Sequence, residues 1–269
     1  MFTGISTSCF YPMETERSLD LLLQAGGRCL EVFLNSFSEM EPAYLKELAR
    51  ACRERGARVV SLHPFTSGWE GYLFFSGYSR RFADSVDLYR RFFEGAAILG
   101  ADKVVFHGAQ TGMEIPMERY AQRFAALDDA AREMGIRLCH ENVCRTVSRS
   151  AEFFRQLSRL YPEGRFVLDV KQAIRAGEDP FVMLEAMGNR VAHVHISDNT
   201  AGESCLPPGK GTMDLRGLVG RLGEMGYRGC LMVELYRGGF STVEDLLESC
   251  RWLESLPGVE SRSPDEKIL

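Results

Sequence analysis

Seven times along this chain an amphipathic stretch ends at a glycine and gives way, within a few residues, to a short apolar run. The junctions are Ala25-Gly26-Gly27 before CLEVF, Arg55-Gly56 before RVVSLH, Leu99-Gly100 before KVVFH, Met134-Gly135 before IRLCHEN, Glu163-Gly164 before RFVLDV, Met187-Gly188 before VAHVHI and Met225-Gly226 before CLMVEL. Glycine takes the left-handed conformation without a Cβ clash, which is what a helix C-terminus needs. Each junction therefore reads helix, cap, strand, and the opening run FTGIST supplies an eighth strand. Helical periodicity fills Ser18 to Gln24, Ala43 to Arg55, Phe82 to Leu99, Met117 to Met134, Ser150 to Leu160, Pro180 to Met187, Leu215 to Met225 and Val243 to Leu253. Eight alternating units in 269 residues predict an α/β fold, a single-domain (β/α)8 TIM barrel over residues 1–256. The polar tail, 257–269, is expected to fray.

An open doubly wound sheet would carry a glycine-rich phosphate turn after its first strand. Neither GISTSCFYP nor PPGKGT has the spacing of such a turn or of a P-loop, so both nucleotide motifs are rejected. A net charge of -5 argues against a chain built to lie along nucleic acid or anionic membrane. Eight scattered cysteines with no C-x-x-C pair read as reduced thiols. With no signal-peptide pattern and no apolar run long enough to span a bilayer, the expectation is a soluble, cytoplasmic protein.

The active site of such a barrel lies at the C-terminal ends of its strands. The residues read there are Glu31, His63, His107, Glu141, Asp169, His195 and Glu234. Each taken alone has a structural reading: Glu31 paired with an arginine, His63 capping a loop, His107 satisfying a carbonyl. In VAHVHISDN, His193 and His195 share parity and could be two hydrogen-bonded core histidines. Jointly these readings fail, because several carboxylates in one barrel mouth repel and take up protons unless a cation holds them. Glu141, Asp169, His195 and Glu234, from four successive strands, form an oxygen-rich set suited to one Mn²⁺, Mg²⁺ or Co²⁺, with Zn²⁺ also compatible. His193 then becomes a polar core residue one layer deeper. His140, of opposite parity to Glu141, is expected to face the helices.

Two long loops are candidate site walls. One, 64–79, is rich in aromatics and reads as a lid, an apolar wall or a contact in a homo-oligomer. The other, 198–211, is polar and glycine-rich, with Asp198 and Asn199 placed to orient it or His195.

CHENV at 139–143, FVLDVKQA at 166–173, HVHISDN at 193–199, PGKGTMDL at 208–215 and MVEL at 232–235 resemble the xylose-isomerase-like TIM barrels. That superfamily includes ketose 3-epimerases, hydroxypyruvate isomerase, inosose dehydratase and endonuclease four. The resemblance covers essentially the whole barrel. It implies a metal, often manganese, held by Glu141, Asp169, His195 and Glu234, with Glu141 and Glu234 moving protons on the two faces of a small sugar through a cis-enediolate. It also implies that His63 and His107 touch substrate. One departure is Gln172, where the family commonly has a histidine three residues after the strand-six aspartate; an amide can hydrogen-bond a sugar hydroxyl but is a poor metal ligand.

Lys171, read on the same strand face as Asp169, is a candidate for a substrate phosphate or carboxylate. Arg237, Trp69 and Glu31 complete the candidate substrate-binding set. The expected activity is a metal-dependent isomerase or epimerase of a small sugar. The alternatives are a lyase resembling inosose dehydratase, a zinc phosphodiesterase resembling endonuclease four, disfavoured by the acidic balance and Gln172, and a non-catalytic sugar-binding barrel.

Overall fold

The computed structural model describes residues 1–261. Eight parallel strands close into a barrel in sequence order: β1 (Phe2–Ser6), β2 (Cys29–Phe33), β3 (Arg58–His63), β4 (Lys103–Phe106), β5 (Arg137–Glu141), β6 (Arg165–Asp169), β7 (Val191–Ile196) and β8 (Cys230–Val233), with β8 pairing back onto β1. Around them run α1 (Thr15–Gln24), α2 (Pro42–Glu54), α3 (Glu70–Phe75), α4 (Ser79–Leu99), α5 (Met117–Arg132), α6 (Ala151–Leu160), α7 (Val170–Arg175), α8 (Pro180–Met187), α9 (Leu215–Glu224) and α10 (Val243–Glu254). The fold is therefore the (β/α)8 barrel that the glycine punctuation predicts. Among the described residues, no helix is long and apolar enough to cross a membrane.

Gly100 shows how the punctuation works: at φ 78° it ends α4, and Ala101 N–H then donates to Ala96 O at 2.9 Å, turning the chain into β4. Gly164 departs from the scheme, because α6 has already ended at Leu160 and Gly164 has no positive φ. Two helices lie outside the eight predicted. The first, α3, forms inside the aromatic 64–79 loop, and it anchors that loop to the barrel wall by burying Phe74 and Phe75 while Tyr72 and Tyr78 stay exposed. The second, α7, begins directly at the end of β6, so Lys171 sits on a helical turn and not on the strand face assigned from its parity. At the far end, 257–261 is tied down and not frayed up to that point: Glu260 N–H donates to Met1 O at 2.8 Å and Val259 is buried. Residues 262–269 of the expected tail lie outside the described residues.

Most of the apolar core lies between strands and helices, with Phe106, Phe124, Phe154 and Phe166 fully buried. Inside the barrel, Cys29, Val60, Cys230 and Met232 form one apolar cluster and Val105, Cys139 and Val167 another. They pack the lower part of the barrel, leaving the upper part to polar groups. All eight cysteines are free thiols.

His140 faces outward among Phe106, Phe124, Phe153 and Phe154, as its parity predicts. Its Nδ1–H points at Glu141 O (3.1 Å), and Tyr120 Oη lies 2.6 Å from Nε2, so the neutral ring has a partner at both nitrogens. Burial pushes its pKa down to about 4. Between pH 6.5 and 4 the unfolded chain therefore binds the proton that the folded chain refuses. Stability held above pH 6.5 should fall by about 3 kcal/mol as the pH approaches 4. Urea unfolding across that range is expected to show a shallower acid loss in His140→Gln than in the parent; equal slopes would show that another group governs the acid limb.

Candidate active site

The ends of β5, β6, β7 and β8 deliver Glu141, Asp169, His195 and Glu234 to one point, each offering an atom within 4.8 Å of the others. His195 Nδ1 lies 2.8 Å from Glu141 Oε1, 3.2 Å from Glu234 Oε2 and 3.5 Å from Asp169 Oδ2. An ion with metal–oxygen bonds of 2.0–2.1 Å and octahedral geometry would set adjacent ligand atoms about 3 Å apart. The spacing around His195 Nδ1 matches that requirement.

The second nitrogen of His195 supports the same assignment. Its Nε2 lies 3.2 Å from Glu31 Oε2, so a proton there can be donated downward and Nδ1 is left facing the three carboxylates. Glu31 differs from expectation here. Strand β2 continues to Phe33, and the β2–β3 register shifts at Leu30/Glu31, so Glu31 lies below the strand end and is completely buried. Ser6 and Ser61 hydroxyls donate to it at 2.9 and 2.7 Å, and His193 Nε2 stands 3.1 Å away. Glu31 thus meets the mouth from below, at His195 and, at 3.5 Å, at His63 Nδ1.

Burial opposes ionisation throughout the cluster; pairing outweighs it at Glu141, Glu234 and His195, whereas at Asp169 burial prevails over Lys171 and His195 and raises the carboxyl above its ordinary value. The carboxyl of Glu141 is lowered to about 2, with His195 and His107 overcoming its desolvation. Lys171 and His195 hold Glu234 well below the ordinary carboxylate range against the same penalty. The His195 imidazole is correspondingly held well above its usual value, burial being overcome chiefly by Glu234 and Glu31. Lys171 Nζ bridges Asp169 Oδ2 and Glu234 Oε2. The other oxygen of Asp169 caps α7, accepting from Gln172 N–H at 2.8 Å.

His63 and His107 stand beside this set, their Nε2 atoms 2.6 Å apart. His63 Nδ1 has no hydrogen-bond partner although it is buried, lying 3.5 Å from Glu31 Oε1 and 3.4 Å from Glu234 Oε1. Those two carboxylates outweigh burial and raise His63 to about 10. Ser8 Oγ–H donates to the same Glu234 oxygen at 2.9 Å.

Glu70, which lies in the aromatic loop and was not among the candidates, is fully buried and organises this side of the mouth. Its Oε2 accepts from the backbone N–H groups of His107 (2.7 Å) and Gly108 (2.6 Å), while Oε1 meets His107 Nδ1 at 2.9 Å and Tyr89 Oη at 2.7 Å. Gly108 is required there: its φ is 86°, and a Cβ would lie 2.1 Å from Tyr120 Oη.

The remaining candidates sit further out. Gln172 spends its Oε1 on Cys144 N–H at 3.1 Å. Trp69 is 49% exposed and stacks on Phe37 at the rim. Arg237 donates to Phe240 O at 3.1 Å and lies over the Phe240 ring. In the loop after β7, Asp198 gathers four backbone N–H groups, from Asn199, Gly209, Gly211 and Met213, at 2.8 to 3.1 Å. A Cβ on Gly211 would lie 2.3 Å from Asp198 Oδ1. Two cavities of about 550 and 530 Å³ open elsewhere, at the N-terminal ends of the strands around Gly4, Cys29, Arg58 and Lys103. They hold none of the converging mouth residues, and chemistry in this fold belongs to the opposite face.

No curated protein sequence matches the chain significantly. Among solved structures, a D-psicose 3-epimerase crystallised in the presence of D-fructose superposes with a TM-score of 0.77 at 15% identity, covering 96% of this chain and 100% of its own. An apo 3-keto-D-glucoside 4-epimerase from E. coli gives 0.73 at 17% identity, with coverages of 95% and 99%. The IOLI protein with a bound zinc atom gives 0.72 at 18%, with 93% and 95%. At these identities the likeness is one of fold. The model of the xylose isomerase-like TIM barrel family matches residues 19–256, and with that match the chain belongs to this family.

Proposed function

We propose that the protein is a divalent-metal-dependent isomerase or epimerase of a small sugar or sugar derivative, working by proton transfer through a cis-enediolate. The observation that carries this reading is the ordered set Glu141, Asp169, His195 and Glu234, converging on one point with the far nitrogen of His195 facing buried Glu31. The epimerase folds among the structural neighbours support it. When bound, a Mn²⁺-class ion supplies Lewis acidity toward a substrate carbonyl and an adjacent hydroxyl.

The chain's own groups handle the protons. Glu141 comes from β5 and Glu234 from β8, so they flank Asp169 and His195 from opposite sides of the set. Glu141, ionised across the physiological range, takes the proton from the carbon next to the carbonyl on one face. Glu234, ionised at rest, takes up a proton from solvent and delivers it to the other face, and Glu141 gives its proton back to solvent to close the cycle. His63 and His107 offer ring nitrogens to substrate hydroxyls, and the burial of the whole set keeps bulk water from competing for the carbanion.

The test is solvent deuterium exchange. The Mn²⁺-loaded protein, incubated in D₂O with a panel of ketoses and their phosphates, is expected to wash deuterium into a carbon adjacent to the carbonyl. No incorporation across the panel would remove the main support. A second reading rests on His63, His107 and Glu141, which form a further trio of atoms able to hold an ion. Three tightly bound zinc ions per chain would favour phosphodiester chemistry, whereas a single ion supports the isomerase.

A further inference from the structure

A cation site built from Glu141, Asp169, His195 and Glu234 leaves one buried group unexplained. Lys171 is 3% exposed, and its Nζ bridges Asp169 Oδ2 and Glu234 Oε2, the same two oxygens that face His195 Nδ1. Asp169 has no second oxygen to divide between two cations, because Oδ1 caps α7. A divalent ion needs these oxygens and would stand within a few ångströms of the ammonium, where poor screening makes the repulsion of like charges severe. Occupancy by one cation therefore opposes occupancy by the other.

We infer that Lys171 is a built-in place-holder for the metal: its ammonium neutralises the carboxylates of the resting site, and a divalent ion loads only as that ammonium withdraws from Asp169 and Glu234. The inference rests on the metal-site reading above. A lysine suits this role, since it is a single-point charge on a four-carbon stem and can leave by side-chain rotation, without unwinding α7. The Tyr236 ring, 5.8 Å from Nζ, borders the ammonium on the outer side. The resting charge balance lets the barrel fold without metal, and the exchange lowers metal affinity below what the four ligands alone would give.

The test compares Mn²⁺ binding by calorimetry in the full-length chain and in Lys171→Met. The variant is expected to bind at least about 100-fold more tightly, with a larger Mn²⁺-induced rise in Tm, because only in the variant are Asp169 Oδ2 and Glu234 Oε2 free of the competing ammonium. Equal affinities would overturn the place-holder role and leave the metal site standing; no binding by either protein would overturn both. Should Lys171→Met fail to fold, the parent chain labelled with ¹⁵N-lysine decides the matter, since it has only five lysines to resolve. Saturation with Zn²⁺ is expected to abolish the slowly exchanging ammonium signal of Lys171. Persistence of that signal in a saturated sample would overturn the inference.

Discussion

Replacement of Glu141 by glutamine is expected to lower the rate of deuterium wash-in by about 10³-fold, within the range assigned to a lost general base. The amide keeps the shape of the carboxylate and can still meet His195 Nδ1, now 2.8 Å from Glu141 Oε1, but it cannot accept a proton from carbon. The matching change Glu234→Gln should stop exchange at the opposite face and interrupt product formation after the first transfer. In a D₂O experiment the two variants then separate: Glu141→Gln leaves substrate unlabelled, while Glu234→Gln returns labelled substrate with little product. Retention of activity within tenfold by Glu141→Gln would take the base assignment away from Glu141. The loss would be read on protein whose unfolding midpoint is unchanged, so that a rate effect is not mistaken for unfolding.

The second large effect concerns stability. Glu70→Ala should destabilise the barrel by about 3–5 kcal/mol, the magnitude seen when one partner of a buried charged network is removed. Two backbone N–H groups, His107 and Gly108, would lose their buried acceptor, and the Tyr89 hydroxyl would be left with Thr66 Oγ1 at 2.7 Å alone. For a chain of this size the change corresponds to a fall in Tm of about 10 °C. Glu70→Gln keeps one carbonyl oxygen and should cost about half as much. A shift of Tm below about 2 °C in Glu70→Ala would show that the network is dispensable. Because Glu70 also meets His107 Nδ1, it fixes which nitrogen of that ring carries a hydrogen, leaving Nε2 turned toward His63 and, at 3.6 Å, Glu141.

These two residues also mark where sequence reading succeeds and where it stops. Glu141, Asp169, His195 and Glu234 are legible because a strand has a period of two and parallel strands end on one face, so the last inward residue of each apolar run names itself. Glu31 needed one more fact, the continuation of β2 through Val32 and Phe33, which sinks it one layer below the strand end. A run such as CLEVF contains no mark of where pairing stops. Strand parity brings Lys171 to the mouth, yet it arrives there from α7, whose first turn is set by the Asp169 cap. Glu70 was invisible for another reason. It sits in an aromatic stretch 37 residues from His107, and tertiary packing, with Phe74 and Phe75 against Phe106 and Gln110 donating to Ser67 O, brings the two together.

The loop after β7 bears on binding through a different quantity. Asp198 holds four of its backbone N–H groups, and its own N–H and carbonyl pair with Leu206 at 2.7 and 2.8 Å. The conformational freedom of that segment is removed when the barrel folds, at the time when burial of the core can offset the loss. A ligand arriving later meets a wall that is already set. The entropy of ordering this part of the mouth is therefore charged to folding, and the affinity for whatever binds there is not reduced by it.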